Sequence, residues 1–201
     1  MIVKAKPEIV LNDLGDKVVA ALAQCVESAR NDYATHRLEH PDWVADATGR
    51  GSGNFIHDRM WAAIAAELDG ADGVMLVDKE PFREVVVNAR YCILLKRHDL
   101  FGGISGYPTQ RAMDFWEQDQ YQIDGTGIIN LVAGYEWDKE LRKMGRPVLS
   151  LRNARDDVLW VVELPSSGHA KGVHVIAGPA DGPVLPSIII DNDYSQDSDT
   201  Q

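Results

Sequence analysis

The sequence predicts an α+β domain in which a mixed β-sheet is flanked by helices. Three observations predict it. Apolar residues recur at three- and four-residue steps in two N-terminal segments, 12–39 and 54–68. Three short runs with consecutive apolar residues follow at 73–78, 84–89 and 91–96, the pattern of strands buried on both faces. Three more strand signals at 128–137, 147–152 and 158–164 then read as a β-meander.

Taken in order, the first helix places Leu14, Val18, Ala21, Leu22, Cys25, Val26 and Ala29 on one face. Asn12 or Asp13 is its candidate cap, and it ends before Pro41, which disfavours a helical conformation at the preceding residue. The glycine-rich segment 49–54, GRGSGN, reads as a flexible joint and loop. A second helix starting near Asn54 aligns Phe55, Ile56, Met60, Trp61, Ile64 and Leu68, and Asp69-Gly70 stops it. Between the second and third strands, Asn88-Ala89-Arg90 is a tight reversal or a bulge. The linker at 101–107 carries three glycines, and Pro108-Thr109 opens a third helix over 110–118. Turns at 138–145 and 153–157 separate the meander strands, and short strands are expected at 173–177 and 187–190. The organisation is thus an N-terminal helical segment (1–48), an α+β core (54–164), an irregular C-terminal arm (165–190) and an acidic tail (191–201) expected to be disordered.

Composition narrows the function. The chain has 201 residues and a formal charge of −11, which disfavours generic coating of nucleic acid or of an anionic membrane. Its 45% hydrophobic and 25% charged residues are ordinary for a globular protein. Cys25 and Cys92 lie too far apart in sequence for a metal knuckle or a redox pair. No apolar run approaches the roughly 20 residues that span a bilayer, and acids appear too early for a secretory leader, so a cytoplasmic protein without membrane partners is expected. No cofactor is expected either. FGGISGYPT lacks the Gly-Lys-Ser/Thr ending of a phosphate loop, and no His-Glu-x-x-His or Gly-x-Ser-x-Gly motif occurs. His36 and His40 are four apart on a helix, but no further metal ligand is placed by sequence. The tryptophans at 43, 61, 116, 137 and 160 sit in apolar periodic contexts and read as core anchors.

Charge is unevenly distributed. Arg83, Arg90, Lys96, Arg97 and Arg111 outnumber Glu84 and Asp99, so 83–111 carries +3. Lys139, Arg142, Lys143, Arg146, Arg152 and Arg155 outnumber Asp138 and Glu140, so 138–155 carries +4. On one face, the two stretches would make a basic patch able to meet phosphates or an acidic partner; spread around turns, they would be ordinary solvated charges.

The order helix, strand, strand, strand, helix, strand over 54–135 places His57 on the first helix, Lys96 at the end of the third strand and Gln110 on the next helix. This resembles the RecB-type branch of the PD-(D/E)xK nuclease superfamily. The resemblance implies metal-assisted hydrolysis, in which carboxylates hold magnesium and the lysine orients the attacking water. The chain departs from that pattern where the acids belong. Leu94 stands two residues before Lys96, and the second strand presents valines and Asn88. Asp58, Asp78, Glu80 and Asp99 would have to act as migrated metal ligands.

A second set of motifs joins Ile56-His57 with Met60, Leu95-Lys96-Arg97 with Asp99, and Tyr107-Pro108-Thr109-Gln110 with Ala112 and Phe115. Leu131, Gly134-Tyr135, Asp138 and Trp160 complete it. It resembles a family of uncharacterised bacterial and phage proteins encoded beside helix-turn-helix regulators and ImmA/IrrE-type metallopeptidases, with Leu95 in place of an aromatic and Gly106 in place of Asn. The resemblance implies a role in phage or bacterial immunity or in toxin–antitoxin regulation.

The expected function is therefore non-catalytic: binding of a partner protein or nucleic acid through His57, Lys96, Arg97, Gly106, Thr109 and Gln110, on a degenerate nuclease-like core. The enzyme alternative is a magnesium-dependent nuclease using His57, Lys96, Asp99 and Gln110, with Asp58, Asp78 and Glu80 on the metal. A structural or scaffold component of a phage, with homo-oligomer formation, is the third reading.

Overall fold

In the computed structural model, which describes residues 5–79, 82–104, 115, 127–154, 156–165 and 175–177, a single glycine divides the expected first helix. Gly15, at φ 80°, closes α1 (Pro7–Leu14) and opens α2 (Asp16–Glu39). Left-handed backbone is open to glycine without steric cost, so the chain turns there and stays hydrogen-bonded: the Gly15 N–H donates to the Leu11 carbonyl, and the Val19 N–H to the Gly15 carbonyl. Asn12 and Asp13 consequently do not cap. The Asp13 carboxylate instead receives Arg90 Nη1 at 2.7 Å and the Tyr91 hydroxyl at 2.8 Å, tying the helix to the sheet. As expected, α2 stops before Pro41, and that proline begins a short helix unforeseen from sequence, α3 (Pro41–Asp46).

The segment 49–54 is not a loop. It forms the first turn and a half of α4 (Gly49–Leu68) because Thr48 caps it, the Thr48 Oγ1 accepting from the Gly51 N–H at 3.0 Å. Each interior glycine costs a helix about 1 kcal/mol relative to alanine, so this cap offsets an unusually poor start. Thr48→Ala is accordingly expected to cost about 1 kcal/mol in thermal unfolding. Amide exchange should accelerate at Gly51 and Ser52 and leave the Ile64 turn unchanged.

Among the described residues, seven strands form one sheet in chain order. They are β1 (Val74–Lys79), β2 (Phe82–Val87), β3 (Tyr91–His98), β4 (Ile129–Asp138), β5 (Lys143–Arg152), β6 (Val158–Glu163) and β7 (Val175–Ala177). All neighbours are antiparallel except β3 and β4, which run parallel from Tyr91 opposite Ile129 to His98 opposite Glu136. A parallel pair needs a crossover, and residues 99–128 supply it. The reversal at 88–90 is a tight turn, Asn88 and Ala89 lying at φ 52° and 49°.

One sheet face is covered by α2 and α4. Val85, Val87, Tyr91, Ile93, Leu95, Leu131, Ala133, Leu149 and Leu151 pack there against Leu22, Val26, Ile56, Met60 and Ile64. The N-terminal helices therefore share the core of the sheet and make no separate one. On the opposite face, Ile104 and Val132 form a smaller cluster with Phe115.

One boundary of the meander moves. β5 starts at Lys143, so the turn expected over 138–145 shrinks to four residues, with the Asp138 carboxylate accepting from the Glu140 and Leu141 N–H groups at 2.9 Å each. Pro147 sits inside this strand although it has no N–H to donate. The ladder answers with a register shift between Tyr135 and Trp137, a bulge next to the proline. The expected helix over 110–118 (Phe115 apart, which is helical), the strand at 187–190 and the acidic tail lie outside the described residues. Among the described residues, no helix is long and apolar enough to cross a membrane.

Candidate functional site

The start of α4 lies across the C-terminal half of β3, and the space between them opens as two adjoining clefts. The first, of about 430 Å³, is lined by Arg50, Asn54, His57 and Met60 of α4, Leu95, Lys96 and Arg97 of β3, and Tyr135 of β4. The second, of about 620 Å³, is lined by Ala47, Gly49, Arg97, His98, Asp99, Gly103, Ile104, Trp137, Lys139 and Arg142. Gly49 and Arg97 border both, so the two form one continuous depression.

Five cations from different parts of the chain meet there: Arg50, Lys96, Arg97, Lys139 and Arg142. Among the described lining residues the acid is Asp99, and its Oδ1 is engaged locally by the Phe101 and Gly103 N–H groups at 2.9 and 2.7 Å. Arg97 lies over the Trp137 ring with its guanidinium carbon 5.7 Å from the centroid, a cation–π contact that steadies the side chain at the shared border. Burial pulls the Lys96 ammonium below its ordinary value, as expected of a charge with part of its hydration removed. His57 is lowered too, first by burial and then by the positive charges of Lys96 and Arg83, against a smaller raising effect of Asp58. Near neutral pH it is therefore an uncharged hydrogen-bonding group beside the cations.

The predicted metal ligands do something else. Asp58 accepts from Arg83 Nη1 at 2.6 Å, and Asp78 accepts from Arg83 Nε at 3.1 Å and from the Trp61 indole N–H at 2.9 Å. The indole donor, followed by Arg83, holds the Asp78 carboxyl below its usual range. These acids clamp Arg83 between α4, β1 and β2. Among the described residues, no group of three or more His, Cys, Asp or Glu side chains is placed to hold a metal ion. Asp99 borders the second cleft, whereas Glu80, Gly106, Thr109 and Gln110 lie outside the described residues. His57 and Lys96 both line the first cleft.

The two basic stretches contribute unequally. Lys96-Arg97 and Lys139 with Arg142 reach the clefts. Arg83 and Arg90 pair with aspartates, and Arg146 pairs with Glu136 at 2.8 Å and Glu163 at 3.4 Å. Arg152 is buried behind the site, where its Nε donates to Ser150 Oγ at 3.2 Å and its Nη2 to the Gly102 carbonyl. Arg50 joins the site only because 49–54 is helical, and Thr48 as a cap was the signal for it. Tyr135 and Trp137 line the clefts from β4, which a strand's alternation alone does not reveal. Trp61, Trp137 and Trp160 are core anchors as expected, and Trp116 lies outside the described residues. Trp43 is not a core anchor: it stands in solvent on α3. Glu84 lies within β2 opposite Leu94, in line with the strand signal at 84–89.

Comparison with protein-family models, curated proteins and solved structures found no match for the chain.

Proposed function

We propose that this protein is a non-catalytic interaction protein whose basic cleft binds an acidic partner, a protein or a nucleic acid. It would serve a phage or bacterial immunity or toxin–antitoxin locus, on a degenerate nuclease-like core. The observation that carries the reading is the convergence of Arg50, Lys96, Arg97, Lys139 and Arg142 on one depression in a chain of net charge −11. A protein that repels polyanions overall gains selectivity by concentrating its positive field in a concave site, where low-dielectric walls focus it. The α4–β1–β2–β3 order and the parallel β4 support a nuclease-like ancestry. Asp58 and Asp78, committed to Arg83, argue against the hydrolytic version.

The test is fluorescence anisotropy with a labelled single-stranded oligonucleotide and a labelled polyglutamate peptide, titrated over a range of salt. Binding to at least one probe is expected, with affinity falling as salt rises. Lys96→Glu/Arg97→Glu should weaken it about tenfold to a hundredfold. Arg50→Glu/Lys139→Glu, at exposed positions, should weaken it in the same direction without touching the core. Absence of binding to both probes at low salt would overturn the reading. So would magnesium- or manganese-dependent cleavage of nucleic acid that disappears in Lys96→Ala.

A further inference from the structure

The face that carries the basic cleft also carries its electrostatic opposite. From Glu39 to Ala47 the chain holds Glu39, Asp42 and Asp46 with no lysine or arginine, and all three acids are exposed. Among them Trp43 is 67% exposed. Its indole stacks on His40 with ring centroids 4.2 Å apart and planes 10° from parallel. His40 lies 5.5 Å from His36, which is stacked on Phe55 of α4 at 4.6 Å. A ladder of four rings thus holds a large apolar side chain out in water. Tryptophan is among the side chains enriched at the hot spots of protein interfaces, and one stacked on a neighbouring ring has less conformational freedom to lose on docking.

This acidic aromatic knob adjoins the cleft. Arg142, in the lining of the second cleft, donates through Nη2 to the Val44 and Ala47 carbonyls at 3.4 and 3.1 Å, and Ala47 is itself a lining residue. Among its described lining residues the cleft includes the apolar side chains Ile104 and Trp137 together with Arg97, Lys139 and Arg142. Its volume of about 620 Å³ leaves room for an indole. A knob and a complementary socket side by side on one face become self-complementary when a second copy is rotated by a two-fold axis. We propose that two copies of this chain associate through this face, the partner's Trp43 entering the second cleft while the partner's Asp42 and Asp46 meet Arg50 and Lys139. The inference goes beyond the proposed function and rests on it in one respect, that the cleft accepts acidic groups. Self-association then competes with the acidic partner for the same cations.

Sedimentation equilibrium through the micromolar range tests this, on the full chain and two charge-reversed variants. Asp42→Lys/Asp46→Lys reverses the knob, and Arg50→Glu/Lys139→Glu reverses the socket. The wild type should show a monomer–dimer equilibrium, and Trp43→Ala should weaken it at least tenfold. Each charge-reversed variant alone should be monomeric, since like charges then meet at both contacts, whereas an equimolar mixture should recover a heterodimer. All the substituted positions are exposed, and circular dichroism confirms folding. A monomeric wild type, a Trp43→Ala variant that dimerises like wild type, or a mixture that stays monomeric would overturn the proposal. Polyglutamate or oligonucleotide binding by a wild type that remains monomeric would sink self-association alone. Absence of both would remove the basic-cleft reading as well.

Discussion

Gly134→Ala is expected to destabilise the protein by at least about 3 kcal/mol, lowering the melting temperature by about 10 °C for a chain of this size. Gly134 is the register partner of Lys96 in the parallel pair β3–β4. The two backbones approach so closely there that a Cβ built on Gly134 would overlap the Lys96 carbonyl oxygen. A flexible side chain could swing away from such a contact; a carbonyl in the middle of a strand ladder cannot. The strands must part, and with them the segment of β3 that presents Lys96 and Arg97 to the clefts. Gly49→Ala is the control. A Cβ at Gly49 meets nothing within 4 Å, and alanine in a helix is favoured over glycine by up to about 1 kcal/mol. Two glycine-to-alanine changes on either side of the same cleft should therefore move stability in opposite directions. Equal, small effects in urea unfolding would show that β3 and β4 do not make this close approach.

The strands were legible because their apolar runs are short, consecutive and bounded by turn residues. VMLV, VVV and CILL could not be amphipathic helices of any useful length. Their register was less so. The second strand signal starts at Glu84, yet β2 begins two residues earlier, at Phe82. The N-terminal half departs from its sequence pattern where glycine composition competes with capping. In GRGSGN the glycines signal a loop, and a single threonine one residue earlier outweighs them once the Ile56, Met60, Ile64 face is buried. At Gly15 the same residue type ends a helix, because there nothing but glycine fits the left-handed turn.

The site divides along the same line. His57, Lys96 and Arg97 follow from element order, since the helix before a three-stranded unit packs over its third strand. Arg50, Tyr135, Trp137, Lys139 and Arg142 arrive by tertiary closure across 40 to 90 residues of chain. Nothing local to them announces a site. The acids show the converse. Asp58 and Asp78 are twenty residues apart and plausible as ligands on paper, but Arg83 reaches both. The guanidinium takes an oxygen of each carboxylate as a hydrogen-bond acceptor, and those oxygens are then engaged by Arg83.

Acid should loosen the protein through one residue, His98. Its ring is fully buried at the end of β3, hydrogen-bonded through Nε2 to Ser150 Oγ at 3.0 Å. Burial first, and then the positive charge of the nearby Arg152, push its pKa down to about 3 from the ordinary 6.5. An imidazole that titrates near 6.5 in the unfolded chain but near 3 in the folded one stabilises the native state fully above pH 6.5. As pH falls below that value the unfolded chain binds a proton that the native protein refuses. Stability is lost at about 1.4 kcal/mol per pH unit, or about 3 kcal/mol by pH 4. The consequence reaches the cleft, because His98 pairs with Ile104 across the 99–103 turn and Arg152 holds the Gly102 carbonyl of that turn. Urea unfolding of wild type and His98→Gln between pH 7.5 and 4 separates this effect from general acid sensitivity. Glutamine can keep a hydrogen bond to Ser150 but does not titrate. Its curve should start lower at pH 7.5 and fall less steeply below pH 6, by up to about 1.4 kcal/mol per unit. Parallel slopes for the two proteins would mean that acid enters elsewhere, through the carboxylates clamped on Arg83 and Arg146.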